Sequence, residues 1–221
     1  MFSGGEGDSR VASVRAGPRR GRQTITLDDG RTIVVSDETC VRTAVRAGAI
    51  VDEAYLATLE AAEQRATAHE AALRLLSYRA RSEREVRTRL ARNGIGADVI
   101  EEEVSRLREV GLLDDAAFAR MWVEERGQLA PRGTRLLRNE LRAKGIASSS
   151  IAEATKAVDE EGAALVLARE RGAKIGPVTY AEFRRRVGGF LQRKGFDHEA
   201  ASAALRKVWA EGRGDVADGD D

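Results

Sequence analysis

Only one cysteine, Cys40, occurs in 221 residues. A disulfide framework or a sulfur-based zinc site needs several, so neither is built here, and a reducing compartment is the simple expectation. The two histidines, His69 and His198, stand 129 positions apart with no His or Cys close to either. That leaves no starting point for a metal centre or a histidine-based triad, and no cofactor is expected. No run of ~18 apolar residues occurs, which argues against a transmembrane helix. Met1-Phe2-Ser3-Gly4-Gly5-Glu6 lacks the basic-then-apolar pattern of a secretion signal, so the expected location is cytoplasmic, with no membrane partner.

Proline is scarce as well: Pro18, Pro131 and Pro177, with 112 residues between the first two. Aromatic residues make up 5%, while Ala, Leu, Arg and Glu dominate. These are strong helix formers, so the composition predicts a mainly α protein. Lys and Arg number 37 against 36 Asp and Glu, a net charge of +1 in a chain that is 33% charged. Any electrostatic function must come from local separation of charge.

Residues 1–9 are Gly, Ser and acid without periodicity and are expected to be disordered. From Val11 to Val35 β-formers gather in short alternating runs, and Asp28-Asp29-Gly30 separates the last two. Asp-Gly between such runs predicts a hairpin, and three runs predict a small three-stranded antiparallel sheet. Asp37 is the expected cap of a helix over Glu38 to Ala47, and Asp52 of a second helix from Glu53.

Beyond that point the chain repeats. Leu90-Ala91-Arg92-Asn93-Gly94-Ile95, Leu141-Arg142-Ala143-Lys144-Gly145-Ile146 and Leu191-Gln192-Arg193-Lys194-Gly195-Phe196 share one form, with glycines 51 and 50 residues apart. An apolar residue four positions before each leucine, Val86, Leu137 and Val187, places two apolar groups on one helix face. An amphipathic helix is expected before each of these basic helices. A further helix should follow each glycine, over Asp98 to Val110, Ser150 to Val158 and Glu199 to Trp209, with capping boxes at Asp98/Glu101 and Ser150/Glu153. Leu73, Val86, Leu90, Phe118, Trp122, Leu137 and Leu141 are the expected core.

The expected organisation is therefore a disordered segment 1–9, a β-rich domain with a short helix over 10–52 and a connecting helix over 53–67. Three helical repeats over 68–113, 114–161 and 162–211 form an elongated array, followed by an acidic disordered tail over 212–221. In the tail region Glu211, Asp215, Asp218, Asp220 and Asp221 face only Arg213, which suits a solubilising end or a screen for basic faces.

No phosphate-binding glycine loop occurs, and Gly94-Ile95-Gly96 follows a helix rather than a strand. The acidic clusters Glu101-Glu102-Glu103, Asp114-Asp115 and Asp159-Glu160-Glu161 invite comparison with a metal-dependent nuclease. Helical neighbours point 100° apart, however, so such runs suit solvated faces and caps better, and Asp114-Asp115 suits the start of a helix at Ala116.

Positive charge is better organised. Five of the 37 basic residues are lysines, at 144, 156, 174, 194 and 207, so 32 are arginines, and they concentrate on the middle helix of each repeat. Arg135, Arg138 and Arg142 fall within a ~60° sector away from Leu137. The bland alternative is a solvated face balanced by neighbouring acids. A helix-turn-helix DNA reader is disfavoured, because the helix after the first glycine carries Asp98, Glu101, Glu102 and Glu103, which repel phosphates.

Three motifs in order, Arg79-Ala80-Arg81-Ser82-Glu83-Arg84-Glu85, Gly111-Leu112-Leu113-Asp114-Asp115-Ala116-Ala117-Phe118-Ala119 and Leu141-Arg142-Ala143-Lys144-Gly145-Ile146, with Arg126 and Gly133 between, resemble the RecX family of recombinase regulators over about residues 68–210. The β-rich segment with its Leu27–Gly30 hairpin is similar to the leading domain of some members, and the third repeat departs most from the pattern. The resemblance implies three tandem three-helix units and a non-enzymatic monomer that binds the RecA filament on single-stranded DNA. It further implies that the ATPase, recombinase and co-protease activities of that filament are inhibited. Charge and motif position nominate Arg79, Arg81, Arg84, Arg126, Arg132, Arg135, Arg138, Arg142 and Lys144 as contacts to RecA or to DNA, directly or through RecA, with no catalytic and no metal-binding residue. The alternative is a general single-stranded-nucleic-acid-binding helical module that does not depend on RecA.

Overall fold

Alternating apolar residues near the start of the chain resolve, in the computed structural model, into the inner face of a sheet. The structure describes residues 9–212; positions 1–8 and the acidic stretch 213–221 lie outside the described residues. Four antiparallel strands, β1 (Ser9–Ala16), β2 (Arg22–Leu27), β3 (Thr32–Ser36) and β4 (Ile50–Val51), take the order β3-β2-β1-β4. The expected three-stranded sheet thus gains a fourth member: Ser9 and Arg10 pair with Val51 and Ile50. Ser9, expected in the disordered leader, is buried at the start of β1. A two-residue strand carries no periodicity, which hides β4 from a sequence reading.

Helix α1 (Asp37–Arg42) is shorter than expected and is capped one residue earlier, by Ser36, whose hydroxyl accepts the Thr39 N–H at 3.0 Å. It ends because Thr43 turns its hydroxyl onto the Thr39 carbonyl at 2.8 Å and Ala44 adopts φ 50°, so residues up to Gly48 form a loop into β4. Helix α2 (Glu53–Tyr78), capped by Asp52, runs unbroken through the expected boundary between 67 and 68. Its first turns bury Leu56 and Leu59 against Val11, Ile25, Leu27, Ile33 and Val35 of the sheet. Its last turns bring Ala72 to Val86, Leu90, Ile100, Val104 and Leu107 of α3 (Glu83–Arg92) and α4 (Ala97–Glu109). One helix therefore serves two cores. Leu73, expected inside, lies 40% exposed, turned about 100° around α2 from the buried Ala72.

A first compact unit ends at Leu113 and a second begins at Asp114. The second contains α5 (Asp115–Leu129), α6 (Thr134–Ala143), α7 (Ser148–Thr155), α8 (Glu160–Gly172), α9 (Tyr180–Phe183), α10 (Gly189–Arg193) and α11 (His198–Glu211), with a π-helical stretch over Arg184–Gly188. Asp114 caps α5 by accepting the Ala116 and Ala117 N–H groups at 2.8 and 2.9 Å, so the helix begins one residue before the expected Ala116. Phe118, Ala119, Leu141, Ile146 and Ile151 form one core; Phe183, Val187, Leu191, Phe196 and Leu205 lead another. Three tandem three-helix units thus follow the sheet.

All three basic helices end the same way. Gly94, Gly145 and Gly195 have φ of 81°, 84° and 89°, a region open to glycine, and the next residue's N–H returns to the carbonyl of Leu90, Leu141 or Leu191. The following helix is then capped two positions after the glycine, at Gly96, Ala147 and Asp197. This geometry overrides the expected boxes: Asp98/Glu101 and Ser150/Glu153 fall inside α4 and α7, whose caps make no side-chain hydrogen bond. Only Asp197 occupies the capping position with a suitable side chain, accepting the Ala200 N–H at 2.7 Å.

Candidate interaction surface

The short helix α6 is apolar on one side, with Leu137 and Leu141 buried, and basic on the other, where Arg135, Arg138 and Arg142 are exposed. None of the three pairs with a carboxylate among the described residues. Arg135 donates to the Gln192 carbonyl at 2.6 Å, Arg138 to the Thr155 hydroxyl at 3.3 Å, and Arg142 to the Asn139 side-chain oxygen at 3.0 Å. These partners are neutral, so the stripe keeps its charge while its guanidinium groups are oriented.

Arg135 also lines a groove of about 440 Å³ where α6 meets α10, with Asn139, Gly189, Gln192 and Arg193. Arg193 joins Arg135 there although neither residue's surroundings in the chain point to the other. Their meeting depends on packing between segments 57 residues apart, as the Arg135–Gln192 bond shows.

Arg126, Arg132 and Lys144 are placed differently. Glu140 accepts the Trp122 indole N–H at 2.9 Å, pairs with Arg132 and lies 3.7 Å from Arg126. The Arg126 guanidinium stands 4.1 Å from the Trp122 ring centre and the Lys144 ammonium 4.5 Å. Trp122, expected in the core, is only half-buried and is covered by these cations. This cluster holds α5, α6 and the turn after α6 together, and its cations are occupied within the fold.

In the first unit, Arg84 is exposed on α3 and makes no ion pair among the described residues, whereas Arg79 is held by both oxygens of Glu85 at 3.1 Å. Glu85 in turn completes a capping box with Ser82. Arg81 is half-buried, and its buried Nε has no hydrogen-bond partner among the described residues. Arg87 is paired with Glu83 and Glu101. Of the nine nominated residues, Arg84, Arg135, Arg138 and Arg142 are exposed charges, Arg79, Arg126, Arg132 and Lys144 are engaged in local structure, and Arg81 is half-buried with its Nε unpartnered among the described residues.

Among the described residues, no group of three or more His, Cys, Asp or Glu is arranged to hold a metal ion, and no helix is long and apolar enough to cross a membrane. The arrangement suits docking of an anionic surface by oriented arginines, whose planar forks match phosphate and carboxylate oxygens.

Three family models match in tandem: RecX, first three-helix domain, over residues 68–107; second, over 114–154; and third, over 159–205. The chain is similar to Regulatory protein RecX of Amycolatopsis mediterranei, 34% identical over 158 residues that cover 70% of this chain and 90% of the relative. It is also similar to Regulatory protein RecX of Levilactobacillus brevis, 31% identical over 203 residues, 88% of this chain and 74% of the relative. A crystal structure of regulatory protein RecX superimposes with a TM-score of 0.74 at 25% identity, covering 90% of this chain and 99% of the other. RecX from Lactobacillus salivarius, at 22% identity and a TM-score of 0.63 over 66% of this chain and 97% of that one, shares the fold.

Proposed function

Because the chain belongs to the RecX family of regulatory proteins, we propose that it binds the RecA recombinase filament on single-stranded DNA and inhibits its ATPase, recombinase and co-protease activities. In this reading it acts in the cytoplasm as a monomer, without a cofactor and without catalysis of its own. The observation that carries the proposal is the α6 stripe, where Arg135, Arg138 and Arg142 stand exposed beside neutral partners. A filament repeats its acidic and phosphate groups at regular intervals, so several basic helices can each make a weak contact whose effects multiply. Arg84 on α3 is an equivalent exposed charge in the first unit.

The test is the ATPase rate of RecA on single-stranded DNA, titrated with this protein and with an Arg135→Ala/Arg138→Ala/Arg142→Ala variant. Inhibition well below one copy per RecA, weakened in the variant, is the expected result. Absence of inhibition at saturating protein, with RecA from the same source, overturns the reading and leaves a RecA-independent nucleic-acid-binding module or a scaffold.

A further inference from the structure

From Val11 to Leu27 the chain contains four arginines and no Asp or Glu. The fold spends only one of them internally. Arg22 pairs with Glu63 and Glu70 and so anchors the β1–β2 hairpin to α2. Arg15, Arg19 and Arg20, in and beside the turn that Arg22 closes, are exposed and join no carboxylate among the described residues. Several other arginines of the same unit are neutralised, Arg31 by Asp29, Arg42 by Glu38, Arg65 by Glu102 and Arg108 by Glu83, whereas these three stand together without a carboxylate. The carboxylate beside the hairpin turn, Asp37, is held by the Gln23 amide at 2.7 Å rather than by an arginine.

The turn is also well defined. Gly17 donates to the Arg22 carbonyl at 2.8 Å and Arg22 to the Arg19 carbonyl at 3.2 Å, so the basic tip is a closed loop on a paired ladder. The backbone that carries its cations is thereby pre-ordered, which favours binding. Register then decides what lies behind them. Val14, Ile25 and Ile33 are cross-strand neighbours on the buried face. The adjacent rows, Arg15–Thr24–Val34 and Ser13–Thr26–Thr32, therefore occupy the other face. Those two rows offer hydroxyls, one guanidinium and one valine, with no acid and no aromatic ring among their side chains.

Two kinds of partner could answer such a surface. A protein interface has a desolvated apolar centre ringed by polar groups. Here Val34, 45% exposed, is the single apolar side chain in those two rows. Arginine and hydroxyl groups are instead the common donors to nucleic-acid phosphates. Without an aromatic platform the bases have nothing to stack on, so contact is confined to the backbone and is independent of sequence.

We propose that the β1–β2 hairpin is a direct docking site for the phosphate backbone of single-stranded DNA, with Arg15, Arg19 and Arg20 as the phosphate-binding residues. The choice of a single strand rests on the filament-regulator reading; the choice of a phosphate backbone rests on the hairpin itself. Its residues are not those of the α6 stripe, which is left to the filament protein.

The experiment uses the full chain without RecA. Binding of a dye-labelled thymidine oligonucleotide is followed by anisotropy between about 50 and 200 mM salt, for the wild type, an Arg15→Ala/Arg19→Ala/Arg20→Ala variant and the matching triple lysine variant. Loss of three phosphate contacts should lower the slope of log affinity against log salt by about 2, and weaken binding roughly 10- to 100-fold near 0.1 M salt. The lysine variant should retain most of the affinity and slope, since a point charge suffices for backbone contact.

An alanine variant that matches the wild type in slope and affinity overturns the proposal. So does a wild type that does not bind the oligonucleotide, or an alanine variant that binds it normally yet fails to inhibit RecA, which would make the hairpin a protein contact. The RecA ATPase titration of the wild type is read separately: its failure removes the regulator reading and leaves the oligonucleotide result intact.

Discussion

Gly133 and Gly195 meet backbone to backbone. The Gly133 N–H donates to the carbonyl of Lys194 at 2.9 Å, and a Cβ on Gly133 would overlap the Gly195 carbonyl group and the Phe196 nitrogen. The start of α6 is thereby seated on the glycine turn that ends α10. Glu160, at the first position of α8, reinforces the joint by accepting the Thr134 hydroxyl and, at 2.9 Å, the Asp197 N–H. A glycine whose own φ is an ordinary −69° is thus required by a neighbour and not by its conformation.

Gly133→Ala should accordingly destabilise the second unit by about 1–3 kcal/mol, the usual cost of forcing extra atoms into a packed contact. Gly127→Ala is the matched control, because nothing lies within 4 Å of a Cβ there and the position is helical. It should be neutral or add up to about 1 kcal/mol. Urea denaturation of both variants checks this; equal stabilities would show that the joint yields to a methyl group.

Glu140→Ala should cost about 1–3 kcal/mol and alter Trp122 fluorescence, because the Trp122 N–H and Arg132 both lose their acceptor. The same cluster predicts that Arg126→Ala and Arg132→Ala lower the unfolding midpoint. Alanine at Arg135, Arg138 or Arg142 should change stability by no more than about 0.5 kcal/mol. Any binding defect is therefore interpretable directly only for the second set. Denaturation curves of the five single variants test the division, which fails if the two sets are equally stable.

Ser82→Ala should lower the stability of the first unit by about 1–2 kcal/mol. The Ser82 side chain is buried, its hydroxyl accepts the Glu85 N–H at 3.3 Å, and Glu85 returns by accepting the Ser82 N–H at 3.4 Å. Replacement by threonine, which keeps the acceptor, should recover part of the loss in a thermal melt.

Glu83 accepts from Arg108 at 2.9 and 3.0 Å and from Arg87 at 3.0 Å, and these bonds, that of Arg108 foremost, hold its carboxyl below the ordinary glutamate range. A folded-state value below the unfolded one contributes stability that is complete above about pH 4.3 and lost as pH falls through the folded value. The melting temperatures of wild type and Glu83→Gln should therefore differ most near neutral pH and converge in acid. A difference that stays constant down to pH ~2 would mean that the carboxylate charge does not matter.

Local order determined what the sequence determined by itself. Leu-x-x-(Asn/Lys)-Gly recurs because a helix end needs a glycine at the left-handed position, and Val86, Leu90, Leu137 and Leu141 are buried because apolar residues one turn apart share a face. The Asp28-Asp29-Gly30 hairpin and the cap at Asp52 were legible for the same reason.

What lay beyond the reach of local rules was decided by contacts between distant segments. The two-residue β4 exists because β1 offers it an edge, and the side of α2 that carries Leu73 stays open because Ala72 already faces the core. The basic residues show the same split. Their presence on the middle helices was plain in the sequence. Whether a cation would be consumed, as Arg132 is by Glu140, or left exposed beside a neutral oxygen, as Arg135 is by Gln192, depended on which acceptor the tertiary packing brought to it. Charge is a property of a residue, whereas available charge is a property of its surroundings.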